Sequence, residues 1–170
     1  IKRELGYGRR ISRLVGRKVS IDYIEELYPL GRAGSIKYAL EEGKLNPENP
    51  TLILNASDIL RMNFRQFVKH YLWLKSNYGF EVIQVYASGY RVQYGVGRLH
   101  PTTGQVLEFE EKPIRSEPTN TACYYLQGRL KDFKTIEKVP SNPEDELVQR
   151  WIREGKLGSY VIPLEDIVSI

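Results

Sequence analysis

Tyr94-Gly95-Val96, a turn at Pro101-Thr102-Thr103-Gly104, the run Val106-Leu107-Glu108-Phe109-Glu110-Glu111-Lys112-Pro113 and then Asn120 form the stretch around which this chain of 170 residues is organised. Pro-Thr-Thr-Gly is turn chemistry, and Val106, Glu108 and Glu110 alternate with Leu107, Phe109 and Glu111. The stretch therefore reads as a β-hairpin followed by an extended segment. Pro113 removes an amide donor and restricts Lys112 to extended geometry. An acid and a base then stand side by side at a strand end. Glu111 can accept from hydroxyls and Lys112 can neutralise a phosphate, which suits a polyhydroxylated, phosphorylated small molecule. An ordinary exposed hairpin with solvated charges would show the same pattern.

The order and spacing of the Tyr-Gly-Val strand, the glycine turn, the Val-x-x-Phe-x-Glu-Lys-Pro strand and the following asparagine resemble the sugar-phosphate nucleotidyltransferases, also called nucleotide-sugar pyrophosphorylases. The resemblance implies transfer of a nucleoside monophosphate from a nucleoside triphosphate to a sugar 1-phosphate, with pyrophosphate released. It implies an α/β fold: a Rossmann-like, mainly parallel mixed sheet flanked by helices, with an antiparallel hairpin carrying the sugar-binding residues. It further implies that Lys112 holds the sugar phosphate, while Glu111, Asn120 and the Gly95 backbone orient the sugar.

Composition bounds the alternatives. Hydrophobic content of 41% with 27% charged residues is that of an ordinary globular domain with a real core. No apolar run approaches the roughly 20 residues needed to span a bilayer, so no membrane partner is expected. Cys123 is the single cysteine, which excludes an internal disulfide and points to an intracellular, cytoplasmic setting. With two histidines beside it, a zinc site is not supported. The net charge of +4 is concentrated at the start, where Lys2, Arg3, Arg9, Arg10, Arg13, Arg17 and Lys18 face Glu4 alone. No nucleic-acid-binding signature accompanies that run, and a solvated basic face is the preferred reading.

Along the chain, Val19, Ile21 and Tyr23 alternate with Ser20, Asp22 and Ile24 and predict a strand over 19–25. Leu30-Gly31-Arg32-Ala33-Gly34 then leads into a predicted helix over 36–42 with Gly43 at C′, and Ile36, Ala39 and Leu40 on its buried face. A glycine loop opening a helix lets backbone groups approach a nucleotide closely. In the family the corresponding loop contacts the base, which implies that Leu30 and Gly31 line it here, with Arg32 in the place of a threonine. Thr51 to Leu54 is a short apolar strand ending at Asp58, and acids at such strand ends sit where open α/β sheets bind ligands. Asn63 caps a helix through Tyr78, with Phe64, Phe67, Val68, Tyr71 and Leu72 as its apolar stripe. Strands follow over 80–87, 122–126 and 158–163, and Asn142-Pro143-Glu144-Asp145 is a helix-start signature. Leu164-Glu165-Asp166-Ile167 resembles the closing segment of the family. The resemblance makes Asp58 and Asp166 the metal-binding aspartates, with Mg²⁺ as the cofactor, and makes Asp58, Lys112 and Asp166 the catalytic set. It also places a glycine where Ala122 stands, so that a methyl there is expected to crowd the sugar site.

The family's Gly-rich triphosphate loop, Gly-Gly-x-Gly-x-Arg-Leu, has no match in residues 1–170. The chain is accordingly expected to be the later part of a nucleotidyltransferase domain. Exposed strand edges are then expected to be covered by self-association or by a completing partner chain. A non-catalytic relative, keeping the fold for binding or regulation, is the alternative reading.

Overall fold

The computed structural model describes residues 2–169 and divides into two compact units, one of residues 1–48 with 131–149 and one of residues 49–130 with 150–170. In the first unit, α1 (Lys2–Leu5) and α2 (Arg9–Val15) are short, and α3 spans Gly31–Glu41. The strand expected over 19–25 is not formed. Alternation alone does not make a strand; a ladder partner is needed, and none is present among the described residues. Here the segment is tied down instead by Ser12, whose hydroxyl accepts from the Val19 N–H at 2.8 Å, and by the Tyr23 hydroxyl, which donates to the Gly6 carbonyl at 2.6 Å. Helix α3 starts five residues before its expected start, so Ala33 and Gly34 join Ala39 and Leu40 on the buried face while Ile36 is half-buried.

The second unit is built on a four-stranded sheet. Its elements are β1 (Thr51–Ile53), β2 (Asp58–Leu60), α4 (Phe64–Tyr78), β3 (Val82–Ala87), β4 (Tyr90–Arg91), β5 (Val96–Leu99), β6 (Val106–Glu110), β7 (Ile114–Arg115), β8 (Thr119–Leu126), β9 (Leu157–Ile162) and β10 (Ile167–Ser169). Helix α5 (Leu147–Arg153) leads into β9. The sheet order is β1-β8-β3-β9. It is mixed, as expected, but the balance differs from a mainly parallel sheet: β1–β8 and β8–β3 are antiparallel, and β3–β9 is parallel. Connectivity is the reason. The chain returns from β3 to β8 through short antiparallel ribbons, β4–β7 and β5–β6, whereas β9 is reached through helical structure, as a parallel neighbour requires.

Helix α4 is set by its ends. The Asn63 side chain accepts from the Arg65 and Gln66 amides, both at 3.1 Å, and Gly79 closes the helix in left-handed geometry at φ 72°. Its buried stripe is Phe67, Tyr71 and Leu74, and it packs with Ile83, Val85, Cys123 and Ile162 of the sheet. Phe64 and Leu72, expected in that stripe, are 43% and 53% exposed, because the i, i+4, i+7 register runs from Phe67 instead. Side chains alternate across a strand, so Gln84 and Tyr124 lie on the other face, where Tyr124 meets Trp151 of α5 edge-on at 6.5 Å. The sheet is thereby flanked by helices on both faces. Full burial of side chains such as Phe67, Ile83 and Val85 stabilises this layer by about 1.5–3 kcal/mol each. No helix among the described residues is long and apolar enough to cross a membrane.

Candidate functional site

The hairpin forms as the alternation requires. Val96 pairs with Glu110, Gly97 with Phe109 and Arg98 with Glu108, and the ladder shifts before Leu99 meets Val106. At its tip the His100 ring nitrogen Nδ1 accepts from the Thr102 and Thr103 amides, at 3.3 and 3.2 Å, and Gly104 takes φ 71°. The turn forms at the residues quoted for it, with His100, just before them, as the group that closes it. Arg98 donates to Glu108 across the strands and holds that carboxyl below its ordinary value.

At the base of the hairpin the structure brings Gly95 and Glu111 together. A Cβ at position 95 would stand 2.4 Å from Phe109 Cζ and 3.0 Å from Glu111 Oε2. With glycine at 95 the Phe109 ring lies directly over the backbone, and the Gly95 backbone and the Glu111 carboxylate share one small patch. Lys112 follows immediately, but not in the extended geometry expected of a residue before proline: its φ is 44°. The chain must bend here so that β7 can pair with β4, Tyr90 opposite Arg115 and Arg91 opposite Ile114. The Val92 amide donating to the Pro113 carbonyl at 2.9 Å closes that bend. Tertiary pairing overrides the local preference and leaves Lys112 in a sparsely populated region, as functional sites often do.

Asn120 stands exposed near the start of β8. Its Oδ1 accepts from the Ala122 amide at 2.8 Å, and Ala122 has φ 55°. The ladder explains both. Val85 pairs with Cys123 but Tyr86 pairs with Asn120, so Thr121 and Ala122 bulge out of the register. The Thr121 hydroxyl secures the bulge by donating to the Val85 carbonyl at 2.8 Å. The family's glycine at position 122 thus has a backbone reason in this geometry, a positive φ, separate from any crowding of a sugar.

Asp58 and Asp166 fall on one ribbon. Strand β10 pairs antiparallel with β2, Ser169 opposite Asp58 and Ile167 opposite Leu60, and the Arg61 amide donates to the Asp166 carbonyl at 2.8 Å. The two aspartates therefore lie at opposite ends of the ribbon, three residues apart and about 10 Å by strand rise. Asn55 Nδ2 donates to Asp58 Oδ2 at 2.8 Å, which fixes that carboxylate. Among the described residues no group of three or more His, Cys, Asp or Glu side chains is placed to hold a metal ion. Mg²⁺ takes its oxygen ligands at about 2.1 Å, and the structure does not bring Asp58 and Asp166 together at that scale.

Leu30 and Gly31 belong to the first unit. Leu30 is buried, and Gly31 opens α3 with φ 73°. The space a Cβ would need at 31 is filled by Ser141, whose carbonyl oxygen would lie 2.4 Å away. Ser141 N–H donates to the Leu30 carbonyl at 3.0 Å, and its carbonyl accepts from Ala33 at 2.9 Å. The close approach that Gly31 permits is thus made by the chain itself. Arg32 turns to Glu144, at 2.9 Å.

One set of residues near the site was missed by sequence reasoning. Gln84, Tyr86 and Tyr124 form a hydrogen-bonded group against Asn120. The available signal was a lone amide in the otherwise apolar run Val82-Ile83-Gln84-Val85.

Comparison with known proteins follows the same lines. The nucleotidyl transferase family model matches residues 1–162. The chain is 29% identical over 149 residues to the mannose-1-phosphate guanylyltransferase catalytic subunit beta of Dictyostelium discoideum, covering 86% of the chain and 39% of that protein. It therefore spans about two fifths of the length of that curated relative. Among solved structures, a protein provisionally designated a glucose-1-phosphate thymidylyltransferase of Bacillus anthracis, in complex with a sucrose, superposes with a TM-score of 0.57 at 15% identity, over 95% of this chain and 62% of that one. HddC from Yersinia pseudotuberculosis does so with a TM-score of 0.56 at 18% identity, over 97% and 69%. At such identities these structures speak to the fold. Together with the match over 1–162, they agree with the resemblance carried by Tyr94–Asn120: the chain belongs to the nucleotidyl transferase family.

Proposed function

We propose that this chain supplies the sugar-phosphate side of a nucleotidyl transfer, from a nucleoside triphosphate to a sugar 1-phosphate, with pyrophosphate released. The observation that carries this reading is the packing of Gly95 beneath Phe109 and against Glu111, with Lys112 next in the chain. A bare backbone beside a carboxylate, with a cation the next residue along, is the chemistry a hydroxylated, phosphorylated ligand needs, and it supports this reading. Given the mannose-1-phosphate guanylyltransferase relative, mannose 1-phosphate and GTP are the first pair to test.

In this reading Lys112 neutralises the sugar phosphate, so that its oxygen can approach the α-phosphorus in line. Glu111 and Asn120 accept from and donate to sugar hydroxyls, and Gly95 lets the ring lie against the backbone. Asp58 and Asp166 are the residues that the resemblance would have hold Mg²⁺, and they would have to approach one another to do so; the ion would offset charge on the phosphates. The relative's name describes a catalytic subunit, and assembly with a second copy or with another chain is part of the proposal.

The test is pyrophosphate release by the natural protein containing this chain. Mannose 1-phosphate and GTP are varied separately, followed by other hexose 1-phosphates and triphosphates. Lys112→Ala is expected to raise the sugar-phosphate KM and largely spare the nucleotide KM. Asp58→Ala is expected to abolish turnover or to raise the Mg²⁺ requirement sharply. No release with any pairing would sink the catalytic reading. A second reading, a relative that binds without turnover, is favoured by Ser141 filling the approach at Leu30–Gly31. It predicts saturable binding of mannose 1-phosphate with no pyrophosphate formed.

A further inference from the structure

Behind Asn120, on the face of the sheet away from α4, lies a polar chain inside an apolar layer. Gln84 is 2% exposed and Tyr124 1%. The Tyr86 hydroxyl donates to Gln84 Oε1 at 2.9 Å, Gln84 Nε2 donates to the Tyr124 hydroxyl at 3.2 Å, and Asn120 Nδ2 donates to the same hydroxyl at 3.3 Å. A buried amide without partners costs more than a hydrogen bond returns, so such a chain has to be complete. It is complete: among the described residues no buried side-chain nitrogen or oxygen lacks a partner.

Register explains how four residues from two strands meet. Gln84 is opposite Tyr124, and Tyr86 is opposite Asn120. Between those pairs β8 has two more residues than β3, the bulged Thr121 and Ala122. An insertion of one residue would turn Asn120 to the other face; two keep it on the face of Tyr124. The bulge then serves a second purpose. The Ala122 amide it frees donates to Asn120 Oδ1 at 2.8 Å, so the amide oxygen is fixed from one side and the amide nitrogen from the other.

We infer that Gln84 and Tyr124 are positioning residues for sugar recognition: through the Tyr124 hydroxyl they anchor the nitrogen end of the Asn120 amide, whose oxygen end the Ala122 N–H fixes, so that the amide is held in one orientation toward a bound sugar. An amide free to flip would offer a donor and an acceptor interchangeably; one held at both ends discriminates. The polarity comes from the Ala122 N–H, which can only donate: Asn120 Oδ1 must face it, Nδ2 must face the Tyr124 hydroxyl, and Gln84 Nε2 holds that hydroxyl in place. That hydroxyl, accepting from Gln84, also accepts from Asn120. The inference rests on the proposed role of Asn120 and extends it to residues that touch no ligand.

Tyr124→Phe keeps the ring against Trp151, and Gln84→Met keeps the side-chain length, so either variant can be used if the other fails to fold. In the natural protein, with mannose 1-phosphate and GTP as probes, each is expected to raise the sugar-phosphate KM roughly fivefold, the scale of one lost hydrogen bond. The GTP KM and kcat are expected to stay within about twofold, whereas a merely structural defect would move all three. In an Asn120→Ala background neither substitution should have a further effect on the sugar-phosphate KM. If Asn120→Ala raises that KM while Tyr124→Phe and Gln84→Met leave it unchanged, or if their effects persist in the Asn120→Ala background, the positioning role is overturned and the site reading survives. If Asn120→Ala itself leaves the KM unchanged, or if no turnover occurs, the site reading fails and this inference falls with it.

Discussion

Ala122 offers the sharpest test of the backbone described here, because the expected ranking of substitutions there is the reverse of that in a regular strand. Position 122 lies in β8, and in a regular ladder valine would outrank alanine and alanine glycine. Its φ of 55° puts it in the left-handed region instead, which costs an L-residue about 1–2 kcal/mol. Ala122→Gly removes that cost. Against it stand about 0.4–1 kcal/mol from the freer unfolded chain and a few tenths for the half-buried methyl, on the scale of about 0.8 kcal/mol per buried carbon. The net expectation is a gain of about 0.5 kcal/mol. Ala122→Val adds a branched Cβ where even a plain one is strained, and is expected to cost more than about 1 kcal/mol. Urea unfolding of the natural protein measures both. With a slope of about 1–3 kcal/mol/M, the midpoints of the glycine and valine variants should differ by at least about 0.5 M, glycine higher. A valine variant as stable as the glycine variant would refute the bulge, and with it the capping of Ala122 by Asn120.

Three further outcomes follow from particular groups. Lys112→Gly relieves a φ of 44° and is expected to hold or raise the unfolding midpoint, while raising the KM for mannose 1-phosphate as Lys112→Ala does; a lowered midpoint in the glycine variant relative to the alanine one would refute the strain. Burial pushes the Glu81 carboxyl up, but Arg129 and Lys156 outweigh it and hold the group below its ordinary value. The group thus adds stability above the ordinary carboxylate range that is lost as pH falls through its lower folded value. The stability difference between parent and Glu81→Gln should therefore shrink on acidification, read from urea midpoints at a series of pH values, and a difference constant with pH would refute it. Burial pushes the Cys123 thiol up to about 12, so a thiol reagent at neutral pH should label it no faster than the protein unfolds, as measured by absorbance; fast labelling of the folded protein would contradict this.

Much of this was legible in the sequence because it depends on neighbours a few residues apart. Alternation and turn chemistry gave the hairpin, and Asn63 and Gly79 gave the ends of α4. Gly95 was singled out, and it proved to lie beneath Phe109 beside Glu111. What was not legible depends on pairing across the chain. Val19 to Glu25 has strand alternation without a partner. The sheet was expected to be mainly parallel because strands and helices alternate, yet β8 is reached through ribbons. Pro113 argues for an extended Lys112, and pairing of β7 with β4 prevails. Gly31 suits close approach, and the approach is made by Ser141. In each case the local pattern was present, and a contact from elsewhere in the chain, or the lack of one, decided the outcome.

The same distinction bears on how the site works. Residues that could touch a ligand are conspicuous, because a glycine, an acid and a base together are unusual at a strand end. Residues that could hold them in place are not, because a glutamine and two tyrosines in strands are ordinary until register sets them opposite one another. Gln84 stands between Ile83 and Val85, both facing α4, and its own side chain enters the opposite layer with Tyr124. Replacing that amide by an apolar residue of similar volume would remove its need for partners and need not cost stability. Packing alone therefore does not account for a glutamine here. The proposed anchoring of Asn120 supplies a reason, since Gln84 holds the Tyr124 hydroxyl that meets the Asn120 amide nitrogen.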